Sequence, residues 1–287
     1  MKEENNDRLF CREQVLRTDP AFRMSHLFAE KAFQDRLLAL YAFFSVIEQV
    51  CSSMSDQSVA ERTLAWWRVE MQAGAGTPSS HPVLTELRRS GAADNMPSRL
   101  IKNLLDEAGY RIDAPAPAGE AELEQLCLRT GRPLVELELA VCGVDETDPA
   151  SLGGLVARRG FMQLIRENLA QTGERSSWWL PLDLLARHGL ARADLFTAAA
   201  AHPAKLLMTD ILGIKSFEKP SFLVKNSDIS NKKQGDRHLF VYDALARRKL
   251  KCMNSNSPVD YPEELAKLGV GDLLACWKTA RRFSLSK

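Results

Sequence analysis

From Phe33 to Val50 the apolar side chains Phe33, Leu37, Leu40, Tyr41, Phe44 and Ile47 recur at three- and four-residue steps, the spacing of one face of an amphipathic helix. The same period returns in Val59, Leu64, Trp66, Trp67 and Met71, again from Leu123 to Val141, and again over Pro149–Ala170, Asp236–Cys252 and Pro262–Phe283. No stretch alternates apolar and polar residues up to a hairpin turn, so no strand is predicted. A chain patterned this way hides its apolar stripes by packing helix on helix, and the expected fold class is all-α.

Helix ends are legible as well. Asp19-Pro20, Ser80-His81-Pro82 and Asp148-Pro149 each set a polar cap before a proline, whose missing N–H costs nothing in a first turn. Gly74-Ala75-Gly76 ends the second long helix, and shorter helices are expected over Pro82–Leu87 and Ser98–Ala108. The stretch Asp113–Gly119 (DAPAPAG) is a proline-broken connector. A short helix, Pro181–Arg187, should end on Gly189 as a left-handed cap. Residues 1–18 read as an N-terminal tail, and residues 225–235 (KNSDISNKKQG), poor in apolar groups, as a mobile loop. The 287 residues are expected to form a single domain.

With 26% charged residues and a formal net charge of +1, bulk electrostatics draws the chain to neither nucleic acid nor membrane. The densest basic cluster, Arg247-Arg248-Lys249-Leu250-Lys251, reads as a solvated helix end, with anionic lipid or RNA as its sharper reading. No apolar run reaches the roughly 18 residues of a spanning helix, so membrane contact is expected to be peripheral at most. Six scattered cysteines form no CxxC pair and no zinc spacing, and residues 1–8 lack the apolar stretch of a secretory leader. A reducing, cytoplasmic setting is expected. The five histidines are dispersed, and nothing local suggests a nucleophile–histidine pair.

Two helical stretches carry chemistry. The first is Arg36-Leu-Leu-Ala-Leu-Tyr-Ala-Phe43, running into Ile47-Glu48-Gln49-Val50-Cys51-Ser52. The second is Gly160-Phe-Met-Gln-Leu-Ile-Arg166-Glu167-Asn-Leu-Ala-Gln171, followed by Trp178-Trp179-Leu180-Pro181-Leu-Asp-Leu-Leu-Ala-Arg-His-Gly189-Leu190. Both resemble signatures of the squalene/phytoene synthase family, the last stretch almost letter for letter, and weaker likeness runs from about Asp19 to Gly189, with a faint continuation to the terminal helix of Trp277. The resemblance implies an isoprenoid synthase-type helical bundle around a central cavity. In that family, carboxylates four residues apart share a helix face, and two facing helices hold magnesium on a diphosphate. The metal takes up the leaving group's charge as an allylic cation forms in an apolar cavity.

This chain departs from the pattern at most metal positions. The first acidic pair falls on Glu48 and Ser52, with Gln49 where a second aspartate is usual, and the second pair on Glu167 and Gln171, with Ala170 beside it. One glutamate survives on each helix, and a serine or glutamine offers no anionic oxygen to a hard cation. The family's asparagine falls on Gln163, its tyrosine before the Leu-Pro step on Trp179, and its paired basic residues on Ser45 and Val46. Arg36, Tyr41 and Arg166 are kept and are the candidate diphosphate-binding residues, with Phe44, Gln163 and Trp179 as candidate cavity residues and Glu48 and Glu167 as a metal-site remnant. Arg158, Arg159 and Arg175 are basic neighbours without motif support.

Glu48 to Gln57, with Trp66-Trp67-Arg68 and His81-Pro82-Val83, is similar to a branch of phytoene synthase-like proteins without intact aspartate motifs, one that includes a mitochondrial complex I assembly factor. The resemblance implies a non-catalytic or weakly catalytic protein, a pseudoenzyme that binds an isoprenoid or other lipid or assists the assembly of a protein partner. No cofactor is then expected. The alternative is an active head-to-head prenyltransferase that joins two farnesyl or geranylgeranyl diphosphates with magnesium on Glu48 and Glu167. Neither reading involves nucleic acid.

Overall fold

The structure is a computed structural model that describes residues 2–53, 56–72, 81–144, 149–169, 178–194, 197–218, 237–256 and 260–284. In chain order the helices are α1 (Lys2–Thr18), α2 (Pro20–Ser25), α3 (Gln34–Ser53), α4 (Gln57–Gln72), α5 (Pro82–Arg89), α6 (Ser98–Asp113) and α7 (Glu120–Val141). They continue with α8 (Pro149–Leu169), α9 (Leu182–Arg187), α10 (Ala201–Leu212), α11 (Lys215–Glu218), α12 (Arg237–Ser255), α13 (Tyr261–Ala266) and α14 (Val270–Ser284). No strand occurs among the described residues, and the fold is all-α.

Helix α3 is the axis of the bundle. Every residue from Leu37 to Ser45 is buried, because α1, α5, α6, α7 and α8 all pack around it. A helix enclosed this way can be apolar on all sides, and LLALYAFF is.

Helices α7 and α8 form the closest pair. A methyl added to Gly160 would lie 1.9 Å from the Cys127 carbonyl oxygen, and one added to Gly131 would lie 2.1 Å from that of Val156. The two glycines let the backbones touch, which fixes the height at which α8 presents Arg158, Arg159, Gln163, Arg166 and Glu167 to the interior.

The predicted helix starts hold at Pro20, Pro82 and Pro149, and Gly189 ends α9 with φ +61°. At α5 the cap is the His81 ring, whose Nδ1 accepts from the Val83 N–H at 3.2 Å. Four expectations differ from the structure or lie beyond it. Residues 1–18 are no tail but helix α1, seated on α3 and α5. Among the described residues its buried stripe is Cys11, Gln14 and Val15, too narrow to stand out in a polar sequence. The pattern over 262–283 is two helices, parted at residues 267–269. There Lys249 Nζ reaches the Lys267 carbonyl, and it donates to the Glu264 carbonyl at 2.9 Å. The basic cluster that contains it therefore lies inside α12, with Lys249 buried. The expected loop 225–235 lies outside the described residues.

Candidate functional site

Helices α3 and α8 bring Glu48 and Glu167 to one end of the bundle, where with Arg17, Gln49, Ser52 and Arg166 they line a cavity of about 370 Å³. Both carboxylates are nearly withdrawn from water, and each is met by a guanidinium. Arg166 Nη2 lies 3.3 Å from Glu48 Oε1. Arg111, from α6, pairs through Nη1 with Glu167 Oε1, and Gln163 Nε2 donates to the same oxygen at 3.2 Å.

Arg166 is anchored on its other side too. Its Nη1 donates to the Tyr242 hydroxyl at 2.9 Å and lies 3.5 Å from Asp19 Oδ2, and that hydroxyl donates to Asp19 at 2.6 Å. Asp19 precedes the proline of α2, where its side chain was expected to cap the helix. It makes no cap hydrogen bond and turns inward instead.

Charge follows from this geometry. Burial raises the Glu48 carboxyl to about 7 against the pull of Arg166, with the Glu167 and Asp19 charges adding to the rise. Burial also pulls Arg166 and Arg111 down, but their carboxylate partners outweigh it and both stay firmly cationic.

Deeper in the bundle, Glu138 of α7 accepts from the Tyr41 hydroxyl at 2.8 Å and sits 2.6 Å from His238 Nδ1. His238 Nε2 is 3.0 Å from Ser25 Oγ. These are the distances of a serine–histidine–carboxylate relay, yet all three residues are buried, Ser25 completely. A nucleophile needs a path to its substrate, and here the relay braces Tyr41 and α2. Next to it Arg159 stacks 3.3 Å over the Tyr242 ring and 5.0 Å from that of Tyr41, and none of its buried nitrogens makes a hydrogen bond. Arg158 is held by Asp243 at 2.8 and 3.0 Å.

The predicted residues fall in four places. Glu48, Glu167, Arg166 and Gln163 come together. Tyr41 joins the neighbouring Glu138 cluster. Arg36 stands apart: it lies twelve positions before Glu48, roughly 18 Å along α3, and donates to the Val141 carbonyl at 3.4 Å. Phe44 and Trp179 are buried core, the latter against Phe161 with ring centroids 5.5 Å apart. Ala170, Gln171 and Arg175 lie outside the described residues.

Asp19, Arg111, Glu138, His238 and Tyr242 complete the network; Asp19 was read from sequence only as a helix cap, and the other four were not assigned to a site. Only the neighbouring arginines 158 and 159 gave a signal, as charges on an otherwise apolar stretch.

These residues do not fit a magnesium ion. A hard cation prefers several anionic or carbonyl oxygens, and here it would meet two guanidinium groups already bound to the two carboxylates. Among the described residues no group of three or more histidine, cysteine, aspartate or glutamate side chains is placed to hold a metal.

The model of the squalene/phytoene synthase family matches residues 15–214, more than half of the chain. The chain belongs to that family. Curated relatives include NADH dehydrogenase (ubiquinone) complex I, assembly factor 6 of Rattus norvegicus, 24% identical over 188 residues, covering 65% of this chain and 56% of that one. The Homo sapiens protein of the same name is 22% identical over 187 residues, covering 64% of this chain and 56% of that one. The chain therefore spans little more than half the length of these relatives. Among solved structures, a dehydrosqualene synthase in complex with ligand superposes with a TM-score of 0.64 at 16% identity, covering 100% of this chain and 99% of that one. A squalene synthase from Alicyclobacillus acidocaldarius gives 0.58 at 15%, covering 89% and 95%. At such identities the likeness to solved structures is one of fold: the isoprenoid synthase-type helical bundle. Within the squalene/phytoene synthase family, this member sets arginines against the carboxylates where the signature leads one to expect a metal.

Proposed function

We propose that this chain is a non-catalytic squalene/phytoene synthase-family protein that serves as an assembly factor for a protein partner, with an isoprenoid or lipid as its small ligand. One observation carries the reading. The lone carboxylates left on the two motif helices are neutralised from within, Glu48 by Arg166 and Glu167 by Arg111. A diphosphate leaving group needs its developing charge met by free cations. Both arginines already face carboxylates, which leaves the cavity lining one further guanidinium, Arg17, hydrogen-bonded to Gln14 at 2.7 Å. The relatives named as complex I assembly factors support the protein-partner half of the reading.

The test is to incubate the purified chain with farnesyl diphosphate and magnesium and to measure pyrophosphate and C30 hydrocarbon. Neither is expected, and magnesium with a non-hydrolysable diphosphate analogue should leave the melting temperature unchanged. Turnover that disappears in Glu48→Gln or Glu167→Gln overturns the proposal in favour of a head-to-head prenyltransferase.

A further inference from the structure

Helix α14 lies beyond the residues matched by the family and carries two stripes. Asp272, Cys276 and Ala280, four residues apart, are buried on the side that packs against α12 and α2. Val270, Leu273, Leu274 and Trp277, at the i, i+3, i+4, i+7 spacing of a single helix face, are exposed by 75%, 44%, 48% and 47%. Each of the four is partly open to solvent among the described residues.

The exposed charges of α14 itself have one sign. The acidic residue of α14, Asp272, is turned inward and held by Arg248 at 2.8 Å and Lys249 at 3.3 Å. The other charged side chains of the helix, Lys278, Arg281 and Arg282, are exposed, and Arg281 lies over the Trp277 ring at 5.2 Å. On neighbouring α12, Arg248 and Lys251 are exposed too. The nearby acids of α13, Glu263 and Glu264, are met by Lys267 at 2.6 and 4.0 Å.

We infer that α14 docks this protein on an anionic lipid surface, with the Val270–Trp277 stripe in the headgroup region and the basic side chains on lipid phosphates. Leucines and a tryptophan flanked by lysine and arginine are the make-up of a helix that lies in the membrane interface. A protein partner suits the stripe less well. Four partly exposed side chains supply far less than the roughly 800 Å² per partner of a standard stable interface. Among the described residues no helix is long and apolar enough to cross a membrane, so the contact is peripheral. This inference is independent of whether the α3–α8 site turns over.

The experiment is flotation of the full chain with phosphatidylcholine vesicles, with and without phosphatidylglycerol. Binding is expected only with phosphatidylglycerol, and weaker as salt rises. The double variant Leu273→Ser/Leu274→Ser should lower partitioning about tenfold or more. Lys278→Gln, Arg281→Gln and Arg282→Gln should each lower it roughly fivefold. All these positions are exposed, so melting temperatures should match the parent and separate lost docking from lost folding. Failure of the parent to bind anionic vesicles, or binding unchanged in both sets of variants, overturns the inference. So does a dimer in solution that the serine variant dissociates, which would make a second copy the occupant.

Discussion

Arg111 and Glu167 keep only 2% and 4% of their side-chain surface in water, so each depends on the other. Attraction inside a bundle offsets the desolvation of two ions only while both are present. Arg111→Ala is therefore expected to lower unfolding free energy by about 3–5 kcal/mol, measured by urea denaturation. The paired change Arg111→Met/Glu167→Leu should lose far less, because it removes the charges together. Equal losses in the two variants would show that packing, not the ion pair, sets the cost. The sequence marks Glu167 through its motif but says nothing of Arg111. That residue lies on α6 between Tyr110 and Ile112, 56 positions away, and reads as an ordinary surface arginine.

At the scale of elements, the same α8 depends on a second contact of another kind. Gly160 and Gly131 let α7 and α8 meet backbone to backbone, and Gly160→Ala would drive a methyl into a carbonyl that cannot step aside. A loss of about 3 kcal/mol is expected, again by denaturant unfolding. Gly153→Ala on the same helix has open space around it and should instead stabilise by about 0.5–1 kcal/mol through helix propensity. Opposite signs on one helix separate propensity from packing. Long elements such as α3, α7 and α8 were legible because their apolar period runs for several turns between clear caps. Helix α1 was not, since three buried residues make a faint stripe. Nor was the break between α13 and α14, where Gly269 donates its N–H to Asp272 at 2.9 Å and Lys249 reaches across from α12.

For the whole molecule, the family outline could be read from two ordered motifs, whereas the interior could not. Its charged members come from α3, α6, α7, α8, α12 and the turn before α2, and no sequence window contains them together. Taken as a unit, Asp19, Glu48, Glu138, Glu167 and Asp243 face Arg111, Arg158, Arg159, Arg166 and Arg247, five carboxylates against five guanidinium groups. Within it burial raises the Glu48 carboxyl from 4.5 to about 7, against the pull of Arg166. The folded protein then holds a proton that the unfolded chain has released. The stabilisation from protonated Glu48 is fully present below about pH 4.5 and is lost as pH rises through 7. Relative to Glu48→Gln, which cannot titrate, the parent should lose on the order of 2–3 kcal/mol of unfolding free energy across that window. Denaturation curves for both proteins at intervals from pH 5 to 8 measure the difference directly. Parallel curves would mean that Glu48 stays ionised throughout and that Arg166 outweighs its burial.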